Sequence, residues 1–279
     1  MAVNIIIKNK RVLKRKIDVS KLIFDNMRYG IMDEKYRLIE NEVGEYTVVF
    51  NKDDICRGYE ICIKNNTVEL IMGLPTSDND ILFFYDYIHK ICNKLKAKYF
   101  YRDGIKATFD DIDKYITNDI NTSNETLIEI KNKMDNKEEE SFYLFGALNP
   151  ISFDKKNLKK IKNCHDLGVY TNKLQSMDIY YASPQVYKKS DNTVFGIYVI
   201  TEDVNSVFPL KPSVFMNEEQ KVDYWYISFI VNNKIVGSIN YQDFIKNIST
   251  KNKYDAEYFI IKLNKDKINE LIREYKIEI

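Results

Sequence analysis

Two Asn-Asn pairs constrain this chain more than anything else in it. Asn65-Asn66 separates "GYEICIK" from "TVELIMG", and Asn232-Asn233 separates "YWYISFIV" from "KIVGSIN". A two-residue link between strand-length apolar runs demands a hairpin turn with positive φ at its centre, and Asn tolerates that conformation. A helix pattern follows each hairpin. After the first, Ser77 is placed to cap a helix whose Ile81, Phe84, Ile88, Ile91, Cys92 and Leu95 recur at the spacing of one buried face. After the second, a shorter helix is expected near 241 to 249. The chain is therefore expected to be α+β, in two lobes that are each a mostly antiparallel sheet packed with helices. Because strand, Asn-Asn, strand, helix occurs once in each half, a duplication is left open.

The remaining pattern fills in this outline. Strands are expected at 3 to 8, near 36 to 40, at 45 to 50 and around 98 to 101, with helices at about 20 to 28 and 109 to 117. Thr122 with Glu125 fits a capping box opening a further helix. The run Lys137-Glu138-Glu139-Glu140 has no core residue and marks the boundary between lobes 1–136 and 141–279. Beyond it, "SFYLFGALNP" is apolar on both alternating faces and predicts a central strand stopped by Pro150. "TVFGIYVI" (193 to 200) has the same character, which predicts a sheet covered on both sides. The chain closes with the strand "EYFIIKL" and a helix carrying Ile268, Leu271, Ile272 and Tyr275.

Charge excludes one class of partner. Lys and Arg number 42 against 41 Asp and Glu, a formal net charge of +1, so no global field gathers polyanions. The one basic cluster is Lys8, Lys10, Arg11, Lys14, Arg15 and Lys16. It is either a solvated strand edge or a local contact for RNA, and no DNA partner is expected. No apolar run approaches membrane-spanning length, and the first isoleucines precede the positive charges, the reverse of a secretory signal. The protein is expected to be soluble and cytoplasmic, with no membrane partner.

The side chains assign no catalytic residue, metal or cofactor. Cys56 and Cys62 in an extended segment would lie roughly 20 Å apart at ~3.3 Å per residue, too far to share a disulfide or an ion. Cys92 lies on a helix stripe, and Cys164 adjoins His165 without a third, orienting group. Ser152-x-x-Lys155 and Ser190-Asp191-Asn192 fit two of three elements of penicillin-recognising enzymes, but the third is missing, so a turn and a helix start are the expectation. No glycine-rich phosphate loop, His-Glu-x-x-His or Gly-x-Ser-x-Gly occurs. A carboxylate-based enzyme site would have to come from Asp178, Glu202 and Asp203.

What remains is aromatic. Tyrosine numbers 21 against a single Trp, densest in "YYASPQVY" and "VDYWYIS". Tyrosine joins apolar area to a polar tip at small entropic cost, the property that protein-recognition surfaces use. A chain rich in Lys, Asn, Ile and Tyr also has the composition of an AT-rich genome, so the count alone assigns nothing. Tyr181, Tyr187, Tyr224 and Trp225 are the candidate protein-binding residues, and strand alternation should bury one of Tyr180 and Tyr181 and expose the other.

The stretches "IIIKNK" (5 to 10), "RGYEI" (57 to 61), "LFGALNPI" (144 to 151), "QSMDIYYASPQVY" (175 to 187) and "FGIYVITEDVNSVFP" (195 to 209) resemble a domain-of-unknown-function family of low-GC bacteria, family 4299. The resemblance spans both halves and implies a soluble intracellular protein; it brings no functional residues with it. The expected function is non-catalytic protein binding, of the sort by which immunity or anti-CRISPR proteins inhibit a nuclease or toxin. An enzyme with the carboxylate site above and an RNA-contacting protein are the alternatives.

Overall fold

A computed structural model of the chain describes residues 1–10, 17–214, 221–248 and 251–278. These fall into two units, Met1–Ser176 and Met177–Ile279. The strands of the first are β1 Ala2–Lys8, β2 Met27–Met32, β3 Leu38–Glu40, β4 Thr47–Asn51, β5 Tyr59–Lys64, β6 Thr67–Gly73, β7 Phe100–Arg102, β8 Ile105–Ala107, β9 Phe142–Phe145 and β10 Pro150–Phe153. Its helices are α1 Asp78–Leu95, α2 Ile112–Asp135, α3 Lys155–Leu158 and α4 Cys164–Gln175.

β1 to β8 form one antiparallel sheet in the order β3-β2-β4-β5-β6-β1-β7-β8. Alternation puts Val3, Ile5 and Ile7 of β1 beside Val68, Leu70 and Met72 of β6 on one buried face. The stripe of α1, from Ile81 to Leu95, packs into the same core, where each large apolar side chain contributes about 1.5–3 kcal/mol. Ser77 Oγ accepts from the Asp80 amide at 3.0 Å to start this helix, and Lys96, at φ 55°, ends it. Val48 and Phe50, on the opposite face, pack with Ile55 and Ala147.

Both Asn-Asn turns form. Asn65 and Asn66 have φ of 50° and 62°, and Asn232 and Asn233 of 50° and 58°. Two other local expectations do not hold. The segment 20 to 28 is no helix: Asp18 caps a single 3-10 turn, Val19–Leu22, and Met27 already begins β2. Thr122 opens no helix, because α2 runs unbroken from 112 to 135 and its hydroxyl donates to the Asn118 carbonyl one turn back; the capping box is Thr108 with Asp111. The polar residues Asp119 and Ser123 lie on the buried face of α2 and masked its periodicity.

"SFYLFGALNP" supplies β9 of a two-stranded hairpin rather than a central strand, and Pro150 is the first residue of β10. Proline is admissible there because a first residue need not donate to the ladder. This hairpin, α3 and α4 belong to the first unit. Ala147 N donates to the Cys56 carbonyl at 2.9 Å, Leu38 N to Leu148 O at 3.0 Å, and Gln175 Nε2 to Cys56 O at 2.6 Å. The break between units thus comes after Ser176, past the acidic run at 137–140.

The second unit contains β11 Tyr180–Tyr181, β12 Gln185–Lys188, β13 Val194–Thr201, β14 Ser206–Pro209, β15 Tyr224–Val231, β16 Lys234–Asn240, β17 Asn252–Lys253 and β18 Tyr258–Ile261, with α5 Tyr241–Asn247 and α6 Lys265–Tyr275. Two four-stranded sheets run β12-β13-β15-β16 and β11-β14-β18-β17. β13 pairs with β15 in parallel, so the second Asn-Asn hairpin sits in a mixed sheet while the first sits in an antiparallel one. Tyr198, Phe208, Phe229, Phe244 and Phe259 form the core with Ile268 and Leu271 of α6. The protein is α+β throughout, and no described helix is long and apolar enough to cross a membrane.

Trp225 of β15 packs against this core, across β13 from Gly196. A Cβ at Gly196 would lie 2.2 Å from the indole ring. Gly196→Ala is therefore expected to displace the ring and cost about 1–3 kcal/mol. Trp225 is the only tryptophan. Urea unfolding followed by its fluorescence should show a red-shifted native spectrum and a lower midpoint; an unchanged spectrum and midpoint would show that the ring does not pack there.

Candidate functional site

The face of the β12-β13-β15-β16 sheet away from the core carries a row of rings. Pairing sets Tyr187 opposite Phe195 and Phe195 opposite Tyr224, and alternation puts Tyr226 on the same face as Tyr224. Tyr187 stacks on Phe195 at 5.5 Å and 24°, Phe195 meets Tyr226 at 6.0 Å, and Tyr224 stacks on Tyr226 at 6.4 Å and 13°. Lys189 Nζ lies 5.3 Å from the Phe195 ring centre, within cation–π range. Tyr224 is 55% and Tyr187 44% exposed, whereas Phe195, Ile197 and Val199 are half-buried by their neighbours. "TVFGIYVI" is thus deeply buried only at Gly196, Tyr198 and Ile200, and its second apolar face belongs to this row.

Of the four candidate residues, only Tyr187 and Tyr224 join the row. Trp225 faces the core, 5.7 Å from Tyr198. Tyr181 is largely buried against Tyr258 and Tyr254, at 5.1 and 6.0 Å, and burial raises its phenol well above the ordinary value. Tyr180 is exposed, as alternation requires. Phe195 and Tyr226 complete the row, and the register across three strands that joins them is a non-local fact.

In the basic cluster, Lys8 and Lys10 are exposed, and Arg11, Lys14, Arg15 and Lys16 lie outside the described residues. Lys8 sits 5.0 Å from the Tyr101 ring and Lys10 5.9 Å from Tyr99, which Lys106 also approaches at 4.4 Å. The basic strand end therefore has tyrosines of its own, from residues 99 and 101, which the sequence had separated from it.

Several of the candidate catalytic groups have structural partners. Ser152 is buried in β10, while Lys155 pairs with Asp135 at 2.6 Å. Asp191 closes a turn by accepting from Thr193 N. Glu202 accepts from Asn232 N at 2.7 Å and so holds the second hairpin turn, Asp203 occupies a positive-φ position, and Asp178 is exposed. His165 opens α4 with its Nδ1 3.0 Å from Asp78 Oδ2, and burial raises the adjacent Cys164 thiol. His89 meets Phe109 at 4.8 Å in a groove of about 350 Å³ shared with Leu82, Asp86 and Asp113.

One polar centre lay hidden. Asp80, fully buried in the first turn of α1, accepts at Oδ2 from the Thr76 hydroxyl (2.6 Å), Arg57 N (2.8 Å) and Gly58 N (3.0 Å). Burial raises its carboxyl above the ordinary value, and these three bonds oppose the rise. The Cys56 thiol beside it is pushed up to about 12, first by burial and then by Asp80, so it stays protonated and unreactive. The sequence signal was the place of Asp80, one turn before Phe84 on the apolar stripe.

Asp80→Ala strands three donors and should cost about 3–5 kcal/mol. Asp80→Asn keeps an acceptor and should cost less. Because the folded carboxyl titrates above its unfolded value, its contribution is complete below about pH 4 and is lost as pH rises through the folded value. The deficit of Asp80→Asn should accordingly narrow with rising pH in urea unfolding. A deficit that widens would contradict this assignment.

No curated protein and no solved structure matches the chain. A family model described as "Domain of unknown function (DUF4299)" matches residues 2–271, which include most of both units. The chain belongs to the DUF4299 family.

Proposed function

We propose that the protein acts by binding another protein through the aromatic row of its second unit, without chemistry of its own. The observation that supports this best is the row itself: Tyr187, Phe195, Tyr224 and Tyr226 in ring contact across three paired strands, with the two end tyrosines exposed. Rings fixed by a sheet lose little entropy on docking, and each phenol leaves a hydrogen-bonding tip at the contact. An effector nuclease or toxin that the protein inhibits is one partner class within this proposal.

RNA contact is the second reading, favoured by Lys8, Lys10 and Lys106 around Tyr99 and Tyr101. Positive charge beside half-exposed rings suits a single strand, whose bases stack on such rings.

One experiment separates them. The tagged full-length chain is used to capture partners from lysate, with and without RNase, beside a Tyr187→Ala/Tyr224→Ala variant. A stoichiometric protein that survives RNase and binds the variant at least tenfold more weakly supports the proposal. Both side chains are exposed, so the variant should unfold within about 1 kcal/mol of the parent. Undiminished capture by the variant would remove the row from the function. Loss of the partner with RNase, and in Lys8→Ala/Lys106→Ala, would favour RNA.

A further inference from the structure

The first unit holds a small pocket that presents two charged side chains, Arg57 and Glu60, which attract one another but form no direct ion pair among the described residues. Its floor is the face of the large sheet away from α1, including Glu60 and Ile71, and Tyr36, Phe145 and Gly146 line it above. Arg57 and Gly73 close one end. The volume is about 200 Å³. At about 30 Å³ per water-sized group, that suits a ligand of roughly seven heavy atoms and is below the range of drug-sized sites.

Arg57 is held rigidly with most of its donors unused. Its backbone amide is tied to Asp80, and Nη1 donates to the Pro75 carbonyl at 3.1 Å. The guanidinium lies flat against the backbone of Gly73, where a Cβ would come within 2.6 Å of Nη2. Among the described residues it makes no other hydrogen bond and no ion pair. A guanidinium has five donors in a planar fork suited to a carboxylate, so two-pronged recognition at the Nη2 side is unfilled. Glu60 faces the same space, half-buried, and its carboxylate takes no described hydrogen bond or ion pair. Burial lowers the Arg57 pKa and raises that of Glu60, so each charge has already lost part of its water.

A protein could neutralise such a pair internally by bringing the two together. Here they are kept beyond ion-pair distance, with an apolar wall of Ile71 and the tilted Tyr36–Phe145 pair, 4.4 Å between ring centres, beside them. A lone anion would satisfy Arg57 and be repelled by Glu60. A lone cation would meet the reverse. A ligand bearing an ammonium and a carboxylate on one carbon satisfies both and leaves its remaining carbons to the apolar wall.

We infer that this pocket binds a small zwitterion of the α-amino-acid class, with the carboxylate on Arg57, the ammonium on Glu60 and a short apolar side chain against Ile71, Tyr36 and Phe145.

The test is isothermal titration calorimetry of the full-length chain with glycine, alanine, valine and leucine, beside acetate, methylammonium and inorganic phosphate. The expected result is saturable binding of at least one amino acid, with acetate at least tenfold weaker and methylammonium silent. Glu60→Gln should weaken the amino acid tenfold or more while leaving acetate unchanged or tighter, and Arg57→Lys should abolish both. Should Arg57→Lys fail to fold, Glu60→Gln and Tyr36→Ala, altered at partly exposed side chains, still decide. No heat from any amino acid would overturn the inference. So would acetate or phosphate binding as tightly as the amino acids with Glu60→Gln without effect, since that describes a plain anion site.

Discussion

A single carboxylate oxygen, Asp80 Oδ2, organises the first unit. It ties three segments that are far apart in their local geometry: the loop at Arg57 and Gly58 that leads into β5, the Thr76 hydroxyl after β6, and α1 itself. Thr76 N in turn donates to Ser123 Oγ of α2, and Gln175 of α4 donates to the Cys56 carbonyl next to the tied loop. Burying a charge costs several kcal/mol unless donors converge on it, and here two of the donors are backbone amides that would otherwise be stranded. The interaction therefore fixes where α1 lies on the sheet, and through α1 where α2 and α4 can pack. Because Arg57 N is one of the donors, it also fixes the direction in which the Arg57 side chain leaves the backbone. The candidate zwitterion pocket is a downstream consequence of the same knot.

Much of the fold was legible because it is written locally. A two-residue Asn-Asn link specifies its own turn, and the stripe of α1 specifies both a helix and the face it buries. What failed depended on partners distant in sequence. "SFYLFGALNP" has the composition of a central strand, yet its place is set by Ala147 and Leu148 bonding to Cys56 and Leu38, roughly a hundred residues earlier. The pattern of α2 reads as two helices because Asp119 and Ser123 interrupt its apolar face, and both are buried only because Arg102, Tyr85 and Thr76 supply partners. No local pattern announces a buried polar residue whose partner lies on another element.

The sites divide in the same way. Density and alternation name Tyr187 and Tyr224, which lie in the row, and equally Tyr181 and Trp225, which turn inward, because density does not say which face a ring takes. In β15 the alternation between Tyr224 and Trp225 is plain, but whether odd or even positions meet the core is decided by β13, whose Gly196 leaves room for an indole and not for a neighbour's backbone to retreat. Arg57 and Glu60 were invisible for a different reason. One charged residue on either side of "GY" is ordinary punctuation until the structure places both at one pocket with no direct ion pair between them among the described residues.

The aromatic row also bears on why this face is built from tyrosine. A sheet face of leucine or phenylalanine of the same extent would be a liability in water, since apolar patches of a few hundred Å² promote association. Here each exposed ring ends in a hydroxyl, and Lys189 lies over the one phenylalanine. These features lower the cost of leaving the face open without giving up its apolar area. They are unnecessary for a face meant to be buried permanently, where leucine and isoleucine would pack as well and need no satisfied hydroxyl. A surface that must tolerate water and still offer ring area suits a contact that is made and released, which is the property the proposed function requires of it.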